Sequence, residues 1–216
     1  MTALALLLAD ARLPAAGHTQ SGGLEPGLSR GLDPAALPAY CRTRLATVTR
    51  TEAATAVVAR HRARLRAPLG PVEDAWAART PSDAMRATSR SLGRGLVRLA
   101  RKAWPEAVGQ WPPDARPPRA VVLGAIAAET GLPAVDLARV VAYDDVQTVL
   151  AAALKLLPLD PADAASWCVG LLPDIDRFAD EVALLTGPDD IPATGSPEIE
   201  GWAQAHARTT RRLFSA

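Results

Sequence analysis

The sequence predicts an all-α protein, a single-domain helical bundle of about eight to ten helices spanning residues 1–216. Three observations predict it. Apolar residues recur at helical rather than alternating spacing along most of the chain. Pairs such as Asp33-Pro34, Gly70-Pro71 and Asp160-Pro161 mark helix starts. An aspartate there can cap free N–H groups, and a proline at the first helical position has no N–H to lose. Aromatic content is only 4% and β-branched runs are few, which argues against a sandwich or barrel. The hydrophobic fraction, 49% and mostly alanine and leucine, is ample for a core.

The first element is an apolar helix through Leu6–Leu8. It mimics the apolar part of a signal peptide but has no basic residues before it, and Asp10 and Arg12 follow at once, so it reads as a helix of the mature protein. Pro14 and Gly17 break it, and the chain restarts behind Ser21-Gly22-Gly23. Arg12, His18, Thr19, Gln20 and Ser21 make this break polar, as a plain surface connection also would be.

From Asp33-Pro34 a helix is expected to run to about Arg66. Leu37, Cys41, Leu45, Val48, Thr55 and Val58 or Ala59 form its core stripe. Glu52 lies on that stripe. Its plainer reading is partial exposure at a helix contact; the sharper one is a buried acid that needs a partner. Arg60, Arg62, Arg64 and Arg66 suit the negative end of the helix dipole.

Gly70-Pro71 opens a short helix to about Arg79, and Thr80-Pro81 repeats the cap-plus-proline signal. Met85, Thr88, Leu92, Leu96, Leu99 and Ala103 give the next helix its apolar face. Arg86, Arg90, Arg94, Arg98 and Lys102 form a basic ridge, either solvated or facing an acidic partner. Gly93 and Gly95 cost this helix up to roughly 1 kcal/mol each relative to alanine, which close approach of another backbone would explain. The proline-rich run from Trp111 to Pro118 is the best candidate for a long connection, too short for a domain boundary.

After Val121–Thr130, Gly131-Leu132-Pro133 ends one helix and starts the next, expected over Pro133–Leu157. That helix is apolar nearly all round, so it is central to its bundle or buried in an oligomer. Asp160-Pro161 starts another, which Pro173 interrupts or kinks. The late part of the chain is acidic and the early part basic, so internal or inter-subunit pairing is a simple account. A loop from Thr186 to Pro197 leads into an amphipathic end carrying Trp202, His206, Arg208, Arg211, Arg212, Leu213 and Phe214.

Composition and motifs exclude several functions. The 24 basic and 23 acidic residues leave a net charge of +1, with no global pull toward nucleic acid or an anionic membrane. No segment reaches the roughly 18 apolar residues of a membrane span. Cys41 and Cys168 form no metal pattern or disulfide framework and read as buried, reduced thiols of a cytoplasmic protein. There is no phosphate-binding loop of the G-x-x-x-x-G-K-S/T type, so no self-contained GTPase. His18, His61 and His206 are scattered, which leaves no tight metal site within one chain; His18 is the candidate ligand if a site forms across a dimer. Asp144-Asp145, adjacent on a helix, make a poor acid/base dyad. No serine or cysteine stands in a nucleophile-elbow context.

Asp10, Pro14, Gly17, Ser21, Gly23, Leu24 and Glu25 fall in register with the opening motif of the UreF family of urease accessory proteins, which this chain resembles. Ser89, Gly93 and Leu96 fit its middle pattern, as do Gly124, Gly131-Leu132-Pro133, Tyr143 and the run Ala152–Leu159. Ser196-Pro197-Glu198, His206 and Arg212-Leu213-Phe214 resemble its C-terminus. Where the family continues with a glutamine-containing segment, this chain has Asp160-Pro161-Ala162-Asp163, so no role of those glutamines carries over.

The resemblance implies a non-catalytic adaptor or regulator in nickel delivery and urease metallocentre assembly. Its implied partners are a UreD/UreH-type scaffold, the GTPase UreG, apo-urease and a second copy of the chain. Nickel would be handled transiently by the complex, with no tightly bound cofactor. The partner-contacting ends would be segments 1–30 and 197–216, with Pro14, Gly17, His18, Ser21, Gly23, Glu25, His206, Arg212, Leu213 and Phe214 as candidate partner-binding residues. Read from the residues alone, a helical ligand-binding regulatory protein with a buried pocket, or a helical enzyme whose acids meet only in the fold, stays open.

Overall fold

The computed structural model describes residues 2–10, 13, 19–210 and 213–214. Its α-helices are α1 (Ala3–Leu8), α2 (Leu24–Leu28), α3 (Leu37–Ala46), α4 (Val48–Arg64), α5 (Gly70–Ala78), α6 (Asp83–Ala103), α7 (Pro105–Val108), α8 (Arg119–Glu129), α9 (Ala134–Leu156), α10 (Pro161–Val182) and α11 (Pro197–His206). No strand occurs among the described residues, so the all-α expectation holds.

The closest packing in the bundle is between α4 and α8. On α4 every residue from Ala53 to Ala59 is buried. On α8 a Cβ on Gly124 would run into the backbone of Ala56 and Arg60 and the side chain of Ala59, so glycine lets the two helices touch. Gly93 plays the same part on α6, where a Cβ would strike the carbonyl of Pro117. Its proline-rich neighbour is also held by Arg101, whose guanidinium donates to the carbonyls of Trp111, Pro112 and Pro113.

Helix α9 lies inside its own bundle, against α4, α8 and α10, with α1, α2 and α3 meeting it as well. Only Ala151, Leu154 and Lys155 along it are exposed. Each fully buried side chain such as Leu137, Val146 or Val149 is worth roughly 1.5–3 kcal/mol relative to exposure. Pro173 does not end α10, which runs unbroken to Val182.

Three boundaries differ from expectation, the first being α1, which ends at Leu8, ahead of the expected break at Pro14. The helix expected from Asp33 to Arg66 is a 3-10 turn (Pro34–Ala36) followed by α3 and α4, which part at Thr47 (φ −120°, ψ −103°). There the Thr47 hydroxyl donates to the Thr43 carbonyl, while the Thr47 carbonyl accepts from Thr194 of the loop before α11. This tertiary bond has no local signature. The cap of α6 is Ser82, whose hydroxyl accepts from Met85 N, and not Thr80. The Asp33 and Asp160 caps form as expected, each accepting from the N–H two residues on.

The basic-early, acidic-late layout closes on itself. Arg42 meets Asp174 at 3.0 Å, Arg50 meets Glu181 at 2.8 Å, and Arg139 meets Asp176 at 2.8 Å. Such exposed pairs are worth about 0–1 kcal/mol each. On α6, Arg86 and Arg90 bond to loop carbonyls, while Arg94, Arg98 and Lys102 stand exposed.

Candidate functional site

The Ser21-Gly22-Gly23 turn sits against the bundle through its backbone. Gly22 (φ 58°) and Gly23 (φ 78°) both adopt left-handed geometry that costs other residues energy. Space demands glycine too: a Cβ at Gly22 would lie 2.8 Å from Val149 Cγ2, and one at Gly23 would lie 2.9 Å from the Tyr40 hydroxyl. The Gly22 carbonyl accepts from the Tyr40 hydroxyl and from Arg44 Nη1, both at 2.7 Å.

Arg44 is the hub of this end. Its Nε and Nη2 donate to the two carboxylate oxygens of Asp145 at 2.9 and 2.6 Å, and Thr49 donates to the same carboxylate at 2.8 Å. Burial opposes the Arg44 charge, but Asp145 more than offsets it, so the guanidinium is held charged. The fork matches a carboxylate in two parallel bonds, which a lysine could not do. Next to it, burial pushes the Cys41 thiol up to about 12, with Asp145 adding to the effect. A thiol so placed is no nucleophile at neutral pH.

A second buried pair lies one residue away. Arg119 donates to Asp144 at 3.0 Å, and its backbone N–H to Ser89 Oγ at 3.1 Å. Asp144 and Asp145 therefore face different arginines and do not act as a dyad. Glu52 has found a partner as well, since Trp76 Nε1 donates to its Oε1 at 2.6 Å. Glu52 is partly exposed at a helix contact and has a partner as well, so both readings hold in part. Glu52 also lines a cavity of about 150 Å³ between the Gly22-Gly23 turn, α4, α6, α9 and α11.

The two chain ends meet at Glu25. Its Oε1 accepts from Leu213 N at 2.7 Å and its Oε2 from Phe214 N at 2.9 Å. His206 Nε2 lies 3.4 Å from Glu25 Oε2 and 3.3 Å from the Phe214 carbonyl. Both neighbours of that nitrogen are acceptors, so it carries the proton. Glu25 is itself positioned by its N–H, which donates to Ser21 Oγ at 3.3 Å. The Phe214 ring is 4% exposed, with Lys155 Nζ 5.2 Å from its centroid. Helix α11 is fixed from its other side, where Gln204 Oε1 accepts from Ser82 Oγ and Ala84 N.

Of the residues singled out from sequence, Glu25, His206, Leu213 and Phe214 thus converge in one clasp, with Ser21 and Gly23 shaping the turn beneath it. Ser21, His206 and Phe214 face inward, and the Leu213 side chain is 63% exposed. The end segment that follows the Thr186–Pro197 loop is docked on the core. Pro14, Gly17, His18 and Arg212 lie outside the described residues. Among the described residues no three His, Cys, Asp or Glu side chains gather as a metal ion would need. No helix among them is long and apolar enough to cross a membrane.

Sequence reasoning missed Tyr40, Arg44, Trp76, Arg119 and the part played by Asp145. One signal was available: Arg44 falls inside the apolar stripe between Cys41 and Leu45, where a charge needs a partner. Its partner stands 101 residues away.

The UreF family model matches residues 32–171. The urease accessory protein UreF of Mycolicibacterium vanbaalenii is 40% identical over 215 residues, covering 98% of this chain and 97% of that protein. That of Mycobacterium marinum is 38% identical over 223 residues and covers both chains fully. That of Mycobacterium tuberculosis is 37% identical over 221 residues, 99% of each chain. The similarity runs the length of the bundle, through both of its clasped ends, and the chain belongs to the UreF family of urease accessory proteins.

Proposed function

We propose that the chain is a non-catalytic, cytoplasmic adaptor in urease metallocentre assembly, and that it docks on a UreD/UreH-type scaffold through its joined ends. In that complex it would help recruit the GTPase UreG to apo-urease and work as a homodimer. Nickel would be handled by the assembly in passing, without a tight resident site in this chain. The observation that carries the reading is the clasp: Glu25 from the opening motif holds Leu213 and Phe214 from the closing one. Residues 188 and 189 positions apart in sequence therefore present one surface.

Leu213 is the side chain of the clasp that faces out, 63% exposed. An exposed leucine contributes little to the fold but can anchor an interface. The test is co-purification of the scaffold with wild type and with Leu213→Asp. The substitution is expected to leave the melting temperature within about 2 °C and to abolish capture. Normal capture by Leu213→Asp would reject the clasp as the docking surface.

A further inference from the structure

The cavity beside the Gly22-Gly23 turn has a charge pattern that the adaptor reading does not use. Five ionisable side chains line it: Arg44, Arg119, Glu52, Asp144 and Asp145. Arg44 pairs with Asp145, and Arg119 with Asp144. Those two pairs cancel, and among the described residues Glu52 makes no ion pair of its own, with Arg119 and Arg44 attracting it only from beyond contact distance. Its Oε1 takes the neutral indole N–H of Trp76, and among the described residues its Oε2 has no hydrogen-bond donor. A glutamine at this position would accept the Trp76 bond equally well and bury no charge, so the fold does not require the acid.

A second orphan faces the same space. Gln20 also lines the cavity, and its Oε1 is buried without a hydrogen-bond partner. Two acceptors without donors and one carboxylate without an ion pair outweigh the one donor left unpartnered on this lining, Arg119 Nε, and call for a ligand that brings N–H donors and a positive charge. The rest of the lining includes Val48, Met85, Leu92, Val141 and Ile199, so the ligand's body is apolar. The cavity, near 150 Å³ and open on one side, has room for a molecule about the size of benzene. A metal ion fits poorly, because arginines already occupy two of the three carboxylates.

From this geometry we infer that the cavity binds a small primary ammonium compound on a short aliphatic stem, with Glu52 as its counter-charge and Gln20 as a second acceptor. The binding is independent of the scaffold and of the clasp at Glu25.

The experiment is isothermal titration of the full chain with n-butylammonium at about pH 8, where the amine is charged. n-Butanol and butyrate serve as the uncharged and anionic controls. One saturable site for n-butylammonium is expected, with neither control saturating. Glu52→Gln keeps the Trp76 bond and should weaken binding roughly ten- to a hundredfold, the usual worth of a charge-assisted bond. Gln20→Ala, at a half-exposed position, should weaken it less, and it carries the test if Glu52→Gln does not fold. Absent saturation in wild type, equal binding of n-butanol, or undiminished binding in the variants would each overturn the inference. None of these results would bear on scaffold capture, which is read separately.

Discussion

Replacing Asp145 with asparagine isolates the interaction that seats the N-terminal turn. The substitution leaves the shape of the side chain almost unchanged but removes the charge opposite Arg44. Arg44 has a side chain only 9% exposed, against 19% for Asp145, and it loses the partner to which it donates at 2.6 and 2.9 Å. Water cannot take over at that burial. Breaking a buried pair by removing one member costs about 3–5 kcal/mol, mostly as an uncompensated charge. The partial exposure of Asp145, and the Gly22 carbonyl that still accepts from Arg44, place the expected loss at about 3 kcal/mol. For a chain of this size that lowers the melting temperature by roughly 6–12 °C. Urea unfolding should show a lower midpoint at an unchanged slope. The double variant Arg44→Met/Asp145→Leu should recover much of the loss, since it leaves no charge behind. A loss under about 1 kcal/mol for Asp145→Asn, the range of a surface pair, would refute the assignment of Arg44 as the hub.

Four further outcomes follow from the same geometry. Burial raises the Glu52 pKa in the folded state, with the Trp76 bond opposing it. The native state therefore holds that proton more tightly than the unfolded chain. Wild-type stability should be intact below the ordinary glutamate pKa and fall as pH rises through the raised one, so the advantage of Glu52→Gln in urea melts should grow with pH. Gly93→Ala must push a Cβ into the Pro117 carbonyl and should cost at least about 1–3 kcal/mol. Gly170→Ala, in open space on α10, should instead gain up to about 1 kcal/mol in the same melts. Cys41, buried and with its thiol pushed up to about 12, should resist thiol reagents in native buffer and react only on unfolding.

Much of this fold was legible because helix starts are local chemistry. Asp33-Pro34 and Asp160-Pro161 cap where their side chains and missing N–H groups say they should. The buried position of α9 followed from its lack of a polar face. Thr47 shows the limit. Nothing near it distinguishes a break from a continuing helix, because the bond that holds its carbonyl comes from Thr194. The site divides in the same way. Glu25, His206 and Phe214 could be singled out from family motifs, whereas their mutual contact is tertiary. The Arg44–Asp145 pair was visible only as a misplaced charge on each side, and no periodicity joins α3 to α9. Glu52 stood out on its stripe, but whether it met water or Trp76 depended on where α5 packed.

The most direct test of the central claim is urease activation in cells that carry the urease genes and every accessory gene except the one for this chain. Supplying the wild-type chain should restore nickel-dependent urease activity. Leu213→Asp, folded but unable to capture the scaffold, should leave urease present as inactive apoprotein. Full activation by Leu213→Asp, or no activation by the wild-type chain, would contradict the account.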